Sequence, residues 1–142
     1  MRIVLDASVA LSWLLEDAGA GQAYAAEVFG ELGEPNAEAR VPATWTLEIA
    51  NVIAKCEARQ ILEVSRSQAF LAAIEAAPIV VDGETAARAL AETLGLARRY
   101  GLSSYDASYL ELALRSTLPL ATLDRALQAA AKKAGVQLVK SA

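Results

Sequence analysis

The sequence predicts an α/β protein, a three-layer α/β/α sandwich around a central, mostly parallel five-stranded sheet. Three observations carry this. Short apolar, largely β-branched runs recur at Ile3-Val4-Leu5, at Ile79-Val80-Val81 and around Leu120, as suits strands buried on both faces. Helical patterns separate them, which requires crossover connections and puts helices on both faces. The 142 residues are enough for one core but not for two ordinary domains, and no repeat, low-complexity stretch or linker divides them. One domain, 1–142, is the expectation.

Strand one closes at Asp6, and Ser8 is placed to cap a helix through Val9, Leu11, Trp13, Leu14 and Leu15. Glu16 and Asp17 end that pattern. An alanine-rich second helix is expected over 18–32, with Tyr24, Val28, Phe29 and Leu32 on one face. The polar segment 33–38 carries Gly33 and Pro35 and reads as a loop. Arg40-Val41-Pro42 reads as a short second strand. A third helix spans 44–59 on a stripe of Trp45, Ile49, Val52, Ile53 and Cys56. Ser65 is placed to cap a fourth, through Phe70, Leu71 and Ile74, which stops near Pro78. Strand three, 79–82, leads at Gly83 into a long helix reaching Tyr100, with Leu90, Leu94 and Ala97 inward. Gly101 breaks it. The next helix opens over 102–106 and continues to Arg115. Strand four covers 119–122. A last helix follows Asp124 through Leu127 and Ala131 and closes at Gly135, and 136–139 makes strand five.

Hydrophobic residues make up 55% of the chain, while aromatics are few and alanine is abundant. That favours close helix packing and is consistent with apolar surface kept for a partner. The chain has no histidine, which excludes histidine catalysis and histidine metal ligands. The single Cys56 cannot form an internal disulfide or complete a zinc site, and reads as small apolar filler. A net charge of −4 argues against nucleic-acid binding by bulk charge alone. Asp6 interrupts the first apolar run, and 9–15 is too short to cross a bilayer, so no signal peptide or membrane span is expected. A soluble, cytoplasmic protein is the plain expectation.

Four acids stand out by position. Asp6 and Asp124 each follow an apolar strand pattern and precede a helix, so a parallel sheet puts both on one edge, where such sheets place their ligands. Glu48 and Asp106 fall on apolar helix stripes: Glu48 lies three residues after Trp45, and Asp106 lies four before Leu110. A lone buried carboxylate is costly, so an acid on such a face needs a cation or a hydrogen-bonding partner. Four converging carboxylates repel unless something positive sits among them, and an all-oxygen site suits Mg2+ or Mn2+. Each acid also has a structural use. Asp6 can accept from the first turn of its helix, and Glu48 can lie at the wet edge of its stripe. Asp106 with Ser103 has capping-box spacing, and Asp124 suits an N-cap. Ser8 and Thr122 add hydroxyls beside the first and last acids.

These residues carry a resemblance. Val-Leu-Asp-Ala-Ser-Val at 4–9, Trp-Thr-Leu-Glu-Ile-Ala-Asn-Val at 45–52, Tyr-Asp-Ala-Ser-Tyr-Leu-Glu-Leu-Ala at 105–113 and Leu-Ala-Thr-Leu-Asp-Arg-Ala-Leu at 120–127 are similar to the signature of PIN domains. More narrowly, they resemble VapC-type ribonuclease toxins of prokaryotic toxin–antitoxin pairs. The likeness spans nearly the whole chain with the four acids in order. It implies a PIN-like sheet and a magnesium-dependent endoribonuclease whose acidic centre is Asp6, Glu48, Asp106 and Asp124. Asp6 and Asp106 would be the most direct ligands of Mg2+, for which Mn2+ can substitute. Asp124 and Glu48 would complete the site by taking a second metal or orienting water, with Ser8 and Thr122 in support. Such a centre activates water for attack on an RNA phosphodiester, and the resemblance implies 3′-hydroxyl and 5′-phosphate ends. It further implies a homodimer and a cognate antitoxin lying across the active-site groove.

An acidic protein that handles RNA needs local cations. Arg98 and Arg99, which precede the Asp106 helix, and Arg125, beside Asp124, are the candidates, ahead of Lys132 and Lys133. Other readings stand beside this one. A phosphoacceptor receiver-like signalling domain would use Asp82 as acceptor and Lys140 as its late lysine, but Asp6 lacks the adjacent acid such domains want. A non-catalytic PIN-fold binding module would not need the full acidic set. A phosphohydrolase with Asp6 as nucleophile would want an aspartate where Ser8 stands.

Overall fold

The computed structural model describes residues 1–15 and 19–140. The expected helix stop at Glu16 and Asp17, and the start at Ala18, lie outside those residues. Among the described residues, β1 (Arg2–Leu5), β2 (Glu38–Val41), β3 (Ile79–Val81) and β4 (Leu120–Ala121) form one sheet in the order β3-β2-β1-β4. Every pairing is parallel: Arg2 faces Glu38, Val4 faces Leu120, and Ala39 faces Ile79. The apolar run of β1 is buried on both faces, with Ile3, Val4 and Leu5 at 0% exposure. At the sheet edge, β3 leaves Val80 and Val81 half exposed.

The sheet has four strands rather than five. The expected strand over 136–139 shrinks to one parallel bridge, Leu138 beside Leu120. The Leu120 N–H donates to Gln137 O and the Val139 N–H to Leu120 O, both at 2.9 Å. A longer ladder has nothing to pair with. Pro119 carries no N–H, and after Ala121 the chain turns into the cap of the last helix.

Helices flank the sheet: α1 (Ala7–Leu11), α2 (Ala20–Leu32), α3 (Trp45–Ala58), α4 (Val64–Ala76), α5 (Thr85–Arg88), α6 (Leu94–Tyr100), α7 (Ser104–Ser116) and α8 (Arg125–Ala134). Three depart from the sequence reading. In α1 the helix ends at Leu11, and single turns carry the chain on to Leu15. Glu63, not Ser65, holds the cap position of α4. The long helix expected from Gly83 to Tyr100 is broken into α5 and α6 by a π turn at Ala89–Thr93. The residue it adds rotates the apolar stripe, so Leu90 is 88% exposed and Thr93 is buried in its place. Gly101 (φ 64°) and Gly135 (φ 81°) close α6 and α8 in the left-handed region that glycine tolerates.

The middle of α7 is buried all round from Ala107 to Ala113, as in a helix that runs through a core. Trp45 from α3 and Tyr109 from α7 are the largest fully buried side chains. Asp6 after β1, Thr122 and Asp124 after β4, and the first turns of α3 and α7 all follow from this packing.

Candidate metal centre

Asp6 is 5% exposed at the C-terminal end of β1, its backbone N–H bonded to Ala121 O at 3.0 Å. It holds the N-cap position of α1 without a side-chain capping bond. Two hydroxyls donate to it instead, Ser8 Oγ at 2.7 Å and Thr122 Oγ1 at 2.6 Å, both to Oδ2. Each hydroxyl in turn accepts a backbone N–H: Leu123 to Ser8 at 3.1 Å and Asp124 to Thr122 at 3.0 Å. That leaves the single hydroxyl proton for the carboxylate. Ser8 therefore braces Asp6 and ties β1 to the β4–α8 turn; it does not cap α1. No described side chain donates to Asp6 Oδ1.

Asp124 is the N-cap of α8, with Oδ1 accepting the Leu127 N–H at 2.7 Å. The cap uses one oxygen and leaves the other. Asp106 sits in the first turn of α7, where the Ser103 hydroxyl accepts the Asp106 N–H at 3.0 Å, as the capping-box spacing predicts. Glu48 lies in the first turn of α3, partly buried, and its Oε1 accepts the Tyr109 hydroxyl at 3.2 Å.

Three of the acids feel a neighbouring acid. Burial pushes the Asp6 carboxyl up, and the charge of Asp124 adds to this against the bracing hydroxyls. Asp106 is pushed up by burial and then by Asp124 and Asp6. Glu48 is pushed up to about 7, by burial first and by Asp6 and Asp106 after it, although the Tyr109 hydroxyl works the other way. The ion pairs among the described residues involve Arg2, Arg40, Arg88 and Arg115, and none reaches these four acids.

The donor set fits a hard divalent cation: carboxylate oxygens only, three of them destabilised as anions, and none paired with a cation among the described residues. Among the described residues, no group of three acids is placed to hold a metal ion directly. Mg2+ keeps several waters and is commonly bound through one or two carboxylates, which is compatible with this spacing.

Among the described residues, the basic candidates form no ion pair with the four acids. Arg98 and Arg99 are exposed at the end of α6. Arg99 stacks over the Tyr100 ring at 5.6 Å and lines a cleft with Arg88, Glu92 and Arg115 that holds none of the four acids. Arg125 is exposed at the first residue of α8, next to Asp124. Lys132 and Lys133 are exposed in the last turn of α8. An apolar groove of about 490 Å³, lined by Trp13, Leu14, Phe29, Arg66 and Phe70, also contains none of the acids.

The receiver reading fails on placement. Asp82 follows the edge strand β3, where Arg115 clamps it at 2.7 and 3.1 Å and Thr85 donates to it at 2.9 Å. Lys140 follows the bridge beside β4, at the opposite edge of the sheet. Sequence reasoning missed two groups. Tyr109 was legible only as an apolar residue three positions after Asp106. The Arg115 cluster with Glu111 and Asp82 had one local signal, the four-residue spacing of Glu111 and Arg115.

Comparison with known proteins follows the same line. The family model for the PIN domain matches residues 3–133. Among solved structures, PAE2754 from Pyrobaculum aerophilum is similar at a TM-score of 0.61 and 24% identity, over 92% of this chain and 87% of that one. FitAcB from Neisseria gonorrhoeae is similar at a TM-score of 0.61 and 18% identity, over 99% of this chain and 97% of that one. These likenesses show the fold. A search of curated proteins finds no match. The family model runs through β1, the sheet and the whole of α7, and the chain belongs to the PIN domain family.

Proposed function

We propose that this PIN domain, acting as one unit over 1–142, is a metal-dependent endoribonuclease and the toxin of a toxin–antitoxin pair. Membership of the PIN family supports a nuclease. One observation carries the metal: Asp6, Glu48 and Asp106 are all pushed up by burial and by neighbouring acids, Asp124 among them, and none of the four pairs with a cation among the described residues. Asp6, Asp106 and Asp124 would hold Mg2+, or Mn2+ in its place. The bound ion supplies an activated water and a counter-charge for the phosphodiester. The protein's own share is positional. Ser8 and Thr122 fix the rotation of Asp6, the α8 cap fixes Asp124, and Glu48 orients water or takes a second ion.

RNA is the proposed substrate, with Arg125 as the phosphate contact nearest the acids; Arg98 and Arg99 serve a longer strand. A cognate antitoxin and a homodimer complete the reading, in a cytoplasmic setting. The sequence strings described above and the apolar groove at Trp13, Phe29 and Phe70 support a protein partner. No helix among the described residues is long and apolar enough to cross a membrane.

The test is cleavage of a mixed pool of structured RNAs by protein free of antitoxin, with Mg2+ or Mn2+ and then with chelator, beside Asp106→Asn. Cleavage that needs the ion and vanishes in the variant is expected. Cleavage that survives both chelator and the variant would overturn the site. Folded, ion-loaded protein that is inert on every RNA would favour the binding-module reading.

A further inference from the structure

We propose that Tyr109 is a positioning residue for the acidic centre: its hydroxyl donates to Glu48 Oε1 and fixes the rotation of the carboxylate that Glu48 offers to a cation or to its water. The proposal rests on the metal-centre reading above and adds a residue to it.

Two placements support it. Tyr109 is 0% exposed, yet its hydroxyl lies 3.2 Å from Glu48 Oε1. Tyr109 itself stands three residues after Asp106, on the same side of α7. One buried hydroxyl thus links two acid-bearing segments, α3 and α7. Filling the core needs only the ring. A hydroxyl in such surroundings is costly unless bonded, and here the bond it makes is to the site.

The chemistry favours a fixed carboxylate. The last torsion of a glutamate is broad and two-fold, and Glu48 has Asp6 and Asp106 pushing on it. Without the hydroxyl it would swing toward solvent. Mg2+ and Mn2+ demand closely held geometry, and groups that orient a ligand are commonly worth 10- to 100-fold in affinity.

The test is a double-variant cycle on the full chain, using Tyr109→Phe, Glu48→Gln and the pair. Two quantities are read: Mn2+ affinity by calorimetry, and the urea midpoint in chelator. With Glu48 intact, Tyr109→Phe is expected to weaken Mn2+ binding about 10- to 100-fold. With Glu48→Gln it is expected to change it by less than about 3-fold. A merely structural role would shift the urea midpoint equally in both backgrounds and leave the affinities uncoupled. Equal affinity losses in both backgrounds, or none with Glu48 present, would overturn the proposal. Should Tyr109→Phe not fold, Glu48→Asp withdraws the carboxylate from the hydroxyl and leaves Tyr109 in place. A loss matching Glu48→Gln is then expected, and wild-type affinity would overturn the idea. Wild-type protein that takes no Mn2+ defeats both this proposal and the metal centre. Mn2+ binding without RNA cleavage defeats only the nuclease reading, and the cycle still decides the role of Tyr109.

Discussion

Two acidic clusters stand at the C-terminal side of this sheet, and they are built in opposite ways. At the edge, Asp82, Glu84 and Glu111 surround Arg115, whose guanidinium donates to all three at 2.7–3.1 Å. At the centre, Asp6, Glu48, Asp106 and Asp124 have hydroxyls and backbone N–H groups but no arginine. The edge cluster carries its own counter-charge and pins α7 to the end of β3. The central cluster has no such partner among the described residues, which is why the proposed function gives it a cation. Acid density alone does not mark a site; acids without a protein cation do.

The largest effect that sharpens this contrast is expected at Arg115. Arg115→Met leaves the buried Glu111 and the part-buried Asp82 without their cation, which costs about 3 kcal/mol. Urea unfolding should show that loss, while Mn2+ affinity of the folded protein stays unchanged. Asp106→Asn should do the reverse at pH 8 in chelator. It relieves repulsion and stabilises the cation-free protein by on the order of 1 kcal/mol, and it removes stabilisation by Mg2+. A lower urea midpoint in chelator would count against a repulsive centre.

The pH dependence has opposite signs in the two clusters. Glu48 rises from an ordinary 4.5 to about 7 on folding, so the native state binds more protons than the unfolded one. Its contribution is fully present below about pH 4.5 and lost as pH rises through about 7. Asp6 and Asp106 shift in the same direction. Burial pushes Asp82 up, but Arg115 and Thr85 outweigh it and hold Asp82 below its ordinary 3.8. Its contribution is present above that value and lost as pH falls through its lowered pKa. Urea midpoints in chelator should therefore fall from pH 5 to pH 8, and Mg2+ should flatten that fall. A flat profile in chelator would remove the electrostatic argument for the centre. The smallest effect is expected at Arg125: Arg125→Ala should reduce the salt slope of RNA binding by about 1. Arg99→Ala, in a cleft without the acids, should leave Mn2+ affinity unchanged.

Much of this was legible along the chain. A continuous apolar run ending in an acid, as at Ile3 to Asp6, states its own burial and its edge. Asp124 and Asp106 sit at capping positions that local spacing defines. What escaped depends on distance in the fold. Leu90 pointed inward on a regular helix, and one inserted residue at the π turn sent it to solvent. Strand five looked sufficient by itself, but β4 was too short to pair with it. Ser8 looked like a cap because its tertiary partner, the Leu123 N–H, is 115 residues away. Tyr109 reads as core from its neighbours, and only the α3–α7 packing shows that its hydroxyl meets Glu48.

The most direct measurement is a calorimetric Mn2+ titration of the wild-type chain, Asp106→Asn and Arg115→Met side by side, each verified as folded. Binding by the wild type and by Arg115→Met, with loss in Asp106→Asn, is the expected result. Undiminished binding by Asp106→Asn, with loss confined to Arg115→Met, would contradict the assignment of the cation to the cluster that has no arginine.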